Sequence, residues 1–158
     1  DGLYWLARAD EMPAGDLFIT PHSGEAAKLL RVDVPAVEAD RLQSALQLAR
    51  NYGCNVVLKG PGSVVVTESG IQICGHGGPG MATAGMGDVL TGICAGLMAP
   101  LYAGDKGRQG REQFAQAIAL HSASADLAAE ALGPLSVVAT DVISRLPALL
   151  SGRARVDD

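Results

Sequence analysis

The sequence predicts an α/β fold with a mostly parallel central sheet flanked by helices, and three observations carry that prediction. Short apolar runs alternate along the chain with segments of helical period. One run, Asn55-Val56-Val57-Leu58-Lys59, is continuously apolar between its asparagine and its lysine, as in a strand buried on both faces. Of 158 residues 48% are hydrophobic but only 4% aromatic, so the core is built from Ala, Val, Leu and Ile, which suits small-residue helices laid closely on a sheet.

The elements follow in order. Leu17-Phe18-Ile19-Thr20 is a short strand stopped by Pro21, leading into a helix over residues 23–30 with Ser23 placed to cap it and Glu25 in its first turn. Val37, Leu42, Leu46 and Ala49 keep one period and predict an amphipathic helix over 36–51, closed near Gly53. The strand at 55–59 ends at Gly60-Pro61-Gly62. Residues 63–68 and 71–74 then read as a hairpin about Ser69-Gly70.

A glycine-rich loop over 75–87 precedes a helix marked by Leu90, Ile93, Cys94 and Leu97, starting near Asp88 and reaching about Ala99. Gly92 and Gly96 share one face of it, where they would let another backbone come close despite a propensity cost of about 1 kcal/mol each. Residues 103–110 read as a polar surface loop and 111–132 as a long Ala-rich helix. A short run at 135–139 and a helix over 141–150 complete a single domain over residues 1–150, with 151–158 a flexible tail.

Composition narrows the function. The net charge of -5, without a basic run, argues against a nucleic-acid backbone or an anionic membrane surface as partner and favours a small ligand. No apolar stretch reaches the roughly 20 residues of a membrane span. The opening residues show no secretory signal pattern. Cys54, Cys74 and Cys94 are odd in number and widely spaced, without a CxxC pair. That fits unpaired thiols in the cytoplasm and predicts no metal site.

Three loops follow strands, and in open α/β sheets such loops border the ligand crevice. In Ala84-Gly85-Met86-Gly87-Asp88, the glycines and the unpaired amides of the next helix form an anion hole of Gly85, Met86 and Gly87 suited to a transferring phosphoryl group. Asp88 beside it is placed to take a proton from an attacking hydroxyl. An isolated Gly-x-Gly-Asp equally suits a tight turn with Asp88 as a plain N-cap. Lys59, where a buried strand emerges at a Gly-Pro-Gly turn, can hold a nucleotide phosphate or be a solvated strand end. His22, after a proline, can bond a polar substrate group or be satisfied by the helix start. His121 reads as packed within its helix and His76 as solvated among glycines.

Taken together, Thr20-Pro21-His22-Ser23-Gly24-Glu25, Val57-Leu58-Lys59-Gly60, the stretch from Met81 through Ala82-Thr83-Ala84-Gly85-Met86-Gly87-Asp88-Val89-Leu90-Thr91 to Gly92, and Leu120-His121 with Asp126 resemble the ADP- or ATP-dependent NAD(P)H-hydrate dehydratases of the ribokinase-like superfamily. The resemblance implies repair of hydrated NADH or NADPH: the hydroxyl on the damaged ring is phosphorylated and phosphate is eliminated, with ADP or ATP as donor and Mg2+ alongside. It implies that His22 and Asp88 contact the hydrated dinucleotide, and that Lys59, Gly60, Pro61, Gly62 and Ser63, with Gly87, contact ADP or its AMP part.

Two positions depart from the family pattern: Met86 stands where Thr is usual and Ser23 where Pro is common. Asp1-Gly2-Leu3 resembles the middle of the family's domain, so the expectation is a ribokinase-like domain lacking its N-terminal half, completed by that half or by a homo-oligomer. Two other functions fit the same residues: a related small-molecule kinase, and a non-catalytic nucleotide-binding fragment.

Overall fold

The structure, a computed structural model, describes residues 2–103 and 107–152, apart from the side chains of 102, 103 and 107–109. It forms two compact units, Asp1–Ile73 and Cys74–Asp158.

The first unit holds a four-stranded sheet in the order β1-β2-β3-β4: β1 (Phe18–Ile19), β2 (Asn55–Leu58), β3 (Ser63–Thr67) and β4 (Gly70–Cys74). β1 and β2 run parallel, with Phe18 opposite Asn55 and Ile19 opposite Val56. β2 and β3 are antiparallel, with Val57 opposite Val65. The α/β class therefore holds, but this sheet is mixed rather than mostly parallel. The reason is local: the Gly60-Pro61-Gly62 turn is too short for a crossover and can only reverse the chain. β2 is buried along its whole length, as its unbroken apolar run predicts. Val56 and Leu58 pack with Ile19, Val64 and Val66 in a core that also takes in Ala26, Leu29, Val37, Ala45 and Leu48 of the helices.

Those helices are α1 (Gly2–Leu6), α2 (Ser23–Leu30), α3 (Val34–Ala39) and α4 (Arg41–Tyr52). Two expectations need correction. The residue capping α2 is His22, not Ser23. The single helix expected over 36–51 is broken at Asp40, whose Oδ1 accepts the amide of Gln43 at 2.8 Å and so starts α4 afresh. Asp33 caps α3 through the amide of Ala36 in the same way. A short acid that captures backbone N–H groups competes with helix continuation, which periodicity alone cannot register. α4 closes on Gly53 at φ 57°, in the left-handed region where glycine is favoured.

The second unit is helical: a 3-10 turn (Pro79–Met81), α5 (Met86–Ala103), α6 (Gly107–Leu132) and α7 (Ala139–Leu150). α5 buries Leu90, Ile93, Cys94 and Met98. It begins two residues earlier than expected and runs past Ala99 through Pro100. Of the loop expected at 103–110, Ala103 belongs to α5 and 107–110 to α6, and 104–106 lie outside the described residues. Residues 135–138 form no strand; a turn from Gly133 to Ser136 leads into α7. Gly92 and Gly96 are exposed, and among the described residues nothing approaches within 4 Å of where their side chains would be, so the expected close helix contact is not made. Of the predicted tail, Ser151 and Gly152 form an exposed turn and 153–158 lie outside the described residues. No described helix is long and apolar enough to cross a membrane.

Candidate active site

In the first unit, the parallel pairing of β1 with β2 continues past both strands. The amide of Lys59 donates to Pro21 O at 2.8 Å, and His22 and Lys59 form a parallel bridge. Two residues 37 apart in sequence, each just beyond a strand, are thereby neighbours, as expected for loops at one sheet edge.

His22 has a defined role in the backbone. Its Nδ1 accepts the amides of Gly24 at 3.0 Å and Glu25 at 3.3 Å, and its own amide donates to Glu25 Oε2 at 2.7 Å. This is a capping box with histidine in place of serine or threonine. An accepting Nδ1 assigns the ring proton to Nε2. The ring is exposed, and Nε2 lies 3.5 Å from Glu25 Oε2. The same carboxylate oxygen lies 3.8 Å from Lys59 Nζ. Glu25, noted in the sequence only as a first-turn acid, is therefore the group between the two basic residues. Its spacing of three from His22 was the available signal.

The turn after Lys59 is held by Ser63, whose Oγ donates to Gly60 O at 3.3 Å and accepts the Gly60 amide at 3.4 Å. Gly62 adopts φ 61°. Gly60, Pro61 and Gly62 are exposed and Ser63 half-buried. Arg41, not singled out in the sequence, also reaches this turn from the start of α4, and nothing in its local pattern marks it.

In the second unit the amide of Val89 donates to Gly85 O at 3.0 Å, closing the first turn of α5. Gly85, at φ 84°, occupies the cap position and has no side chain to offer. Asp88 is the third residue of the helix, so a plain N-cap role does not describe it. Its carboxylate is exposed, among the amides of Met86, Gly87 and Asp88 that open the helix. Met86 is buried against Ala125, Ala128, Val137 and Val142, so an apolar anchor fixes this turn where the resembled family has Thr. Gly85 itself packs on Ala139, whose Cβ would lie 3.1 Å from an added methyl group.

The glycine-rich loop leading to this turn is seated on α6. The amide of Gly77 donates to Asp126 Oδ2 at 2.9 Å, and His76 Nδ1 lies 3.8 Å from the same oxygen. His76 is half-buried beside Asp126 rather than solvated. His121 is buried in α6, as expected. The sequence-predicted residues thus form two sets: His22 with Lys59, Gly60, Pro61, Gly62 and Ser63 in the first unit, and Gly85, Met86, Gly87 and Asp88 in the second.

All three cysteines are free thiols. Burial pushes the Cys54 and Cys94 thiols up to about 12, which leaves them neutral and unreactive at physiological pH. Among the described residues no group of three or more His, Cys, Asp or Glu could hold a metal ion.

Comparison with known proteins bears on this geometry. The profile of the NAD(P)H-hydrate dehydratase family matches residues 1–148. The chain is 41% identical over 152 residues to a bifunctional NAD(P)H-hydrate repair enzyme, Nnr, of Vibrio cholerae, covering 96% of this chain and 29% of the relative. It is 41% identical over 134 residues to the Escherichia coli enzyme of the same name, covering 84% of this chain and 25% of the relative. Its fold is similar to that of an ADP/ATP-dependent NAD(P)H-hydrate dehydratase of Bacillus subtilis co-crystallised with ATP and Mg2+, with a TM-score of 0.80 at 24% identity over 91% of this chain and 51% of that one. A ribokinase-like superfamily protein of Enterococcus faecalis gives a TM-score of 0.76 at 24% identity, over 96% and 50%. The chain thus spans about half the length of these solved structures and under a third of the curated relatives. The match running from the first residue through His22, Lys59 and Asp88 to within α7 shows that this chain belongs to the NAD(P)H-hydrate dehydratase family.

Proposed function

We propose that this chain carries the nucleotide-binding side and the catalytic acid-base group of an enzyme that restores hydrated NADH or NADPH at the expense of ADP or ATP. The observation that carries the reading is Asp88: an exposed carboxylate at the third position of a helix whose capping residue is a glycine. Its neighbours are backbone donors, which suit phosphoryl oxygens and the positive end of the α5 dipole.

In this mechanism Asp88 accepts the proton of the ring hydroxyl as that oxygen attacks the terminal phosphorus of the nucleotide. The phosphorus–oxygen bond to the nucleotide breaks, releasing AMP from ADP or ADP from ATP. The carbon–oxygen bond to the new phosphate then breaks with loss of a ring proton, giving inorganic phosphate and the restored dihydronicotinamide. Amides of Met86 and Gly87 stabilise the migrating phosphoryl group, where positioning and electrostatics supply nearly all the catalysis. Lys59, with the Gly60–Ser63 turn, holds ADP or its AMP part, the nucleotide phosphates competing with Glu25 for the ammonium. His22 contacts the hydrated dinucleotide through Nε2, since Nδ1 is engaged with α2.

Mg2+ binds mainly through phosphates and water with one or two carboxylates, a donor set compatible with a site whose free carboxylate is Asp88; when bound it would neutralise phosphate charge. The profile match runs across both compact units, which supports one nucleotide-binding domain over residues 1–150. The same reading places the protein in the cytoplasm, where its substrate arises and free thiols persist, and leaves a second copy or the remainder of a longer chain as the partner completing the domain. The test is an assay with hydrated NADH, Mg2+ and either ADP or ATP, following NADH absorbance and inorganic phosphate. Recovery of both in equal amounts is expected; a stable phosphorylated product without NADH would instead mark a small-molecule kinase.

A further inference from the structure

We propose that Arg41 is a positioning residue for nucleotide binding, holding the turn that follows β2 against the start of α2. The inference rests on the dehydratase reading and deepens it.

Three segments meet on this one side chain. Arg41 Nη2 donates to Leu58 O at 3.1 Å, at the end of β2. Its Nη1 donates to Ser23 Oγ at 3.3 Å, in the first residue of α2, and to Glu38 Oε1 at 3.2 Å, in α3. Ser23 Oγ in turn donates to Glu38 Oε1. The Arg41 side chain is only 15% exposed, whereas that of its partner Glu38 is 44% exposed. A guanidinium presents its donors in a rigid planar fork, so two separate nitrogens reach acceptors in different segments at fixed spacing, where a lysine ammonium offers a single nitrogen.

Gly60 gives the second observation. With φ at 153°, it is placed so that an added methyl group would lie 2.6 Å from both Nη1 and Nη2 and 2.8 Å from Cζ. The guanidinium therefore lies flat against the Gly60 backbone, closer than any side chain at 60 would allow. Leu58 and Gly60 flank Lys59, and Ser23 adjoins His22. Arg41 thus braces from beneath the segment whose outer side is the exposed Gly60–Gly62 turn. Losing the brace frees the turn without removing any group proposed to touch the reacting atoms, so its effect falls on nucleotide binding through lost preorganisation.

The experiment compares Arg41→Ala, Arg41→Lys and Glu38→Gln with the unmodified protein, reading ADP affinity by calorimetry and the steady-state constants for ADP and hydrated NADH. Arg41→Ala is expected to weaken ADP binding and raise the ADP KM about tenfold, with kcat and the hydrated NADH KM within about twofold, a split that general destabilisation does not give. Free guanidinium ion should recover part of the lost affinity, while Arg41→Lys should not. An unchanged ADP affinity in folded Arg41→Ala overturns the proposal, and so does a fall in kcat with ADP affinity intact. Should Arg41→Ala not fold, Glu38→Gln at an exposed position decides: a weakening of a few fold in ADP affinity supports the brace, and no change overturns it. Failure of the unmodified protein to bind ADP or ATP is a different result, which removes the dehydratase reading itself.

Discussion

Asp88 combines two properties that are separately common: a carboxylate in the first turn of a helix, which the dipole favours, and an exposed position. As third residue of α5 behind a glycine cap, it is not occupied as the cap, which suits the acid-base role proposed for it. Replacing it by asparagine keeps the shape and removes the proton acceptor. Asp88→Asn is therefore expected to lower kcat by roughly 10²- to 10⁴-fold while ADP affinity changes little, as positioned acid-base groups do; near-normal turnover by the same absorbance assay would remove Asp88 from the mechanism. The buried thiols give a second expectation at this scale. Burial pushes the Cys54 and Cys94 thiols up from the usual 9.0 to about 12. Above pH 9 the unfolded chain releases thiol protons that the native state retains, so stability is intact below that pH and falls as pH rises toward 12. Each thiol contributes a slope of up to about 1.4 kcal/mol per pH unit. Urea midpoints between pH 8 and 11 measure it, and Cys54→Ala should flatten the fall.

At the scale of elements, the glycine-rich loop before α5 owes its shape to contacts with α6 and the segment after it. Gly77, at φ 95°, is pinned by Asp126, and at Gly80 any added methyl group would collide with the carbonyl oxygen of Pro134. That neighbour is backbone and cannot rotate away. Gly80→Ala is expected to cost about 1 to 3 kcal/mol, as overpacking against fixed structure does, read as a lower urea midpoint, and to reduce turnover because the loop leads directly into the Asp88 turn.

The sequence reveals this loop's importance and its glycines, but not the reason for Gly80, since Pro134 lies 54 residues away. The same division recurs elsewhere. β2 and the β3–β4 hairpin are legible because a continuous apolar run and a Ser-Gly turn are local signals. The break at Asp40 was missed because a capping acid overrides an unbroken apolar period. The start of α5 at Met86 was missed because neither methionine nor glycine announces a helix. The contact of Glu25 with Lys59 and those of Arg41 with Leu58 and Gly60 are ones that only tertiary structure makes.

For the whole molecule, the proposed nucleotide binding leaves a thermodynamic trace independent of turnover. A nucleotide that binds the native state and not the unfolded chain adds RT ln(1 + [L]/Kd) to stability, about 2.7 kcal/mol at a hundredfold excess over Kd. For a domain of about 150 residues an increment of this kind raises the melting temperature by roughly 2–4 °C per kcal/mol. ADP and ATP should therefore each shift the unfolding transition upward by several degrees at saturation, in calorimetry or by a fluorescence melt. The shift should follow the logarithm of nucleotide concentration rather than level off. Lys59→Ala should move the whole response to higher concentration, because one ammonium contact to phosphate is lost while the Gly60–Ser63 turn remains. A shift equal in both proteins would mean that the nucleotide binds away from this turn, and no shift with either nucleotide would leave Asp88 without a phosphoryl donor.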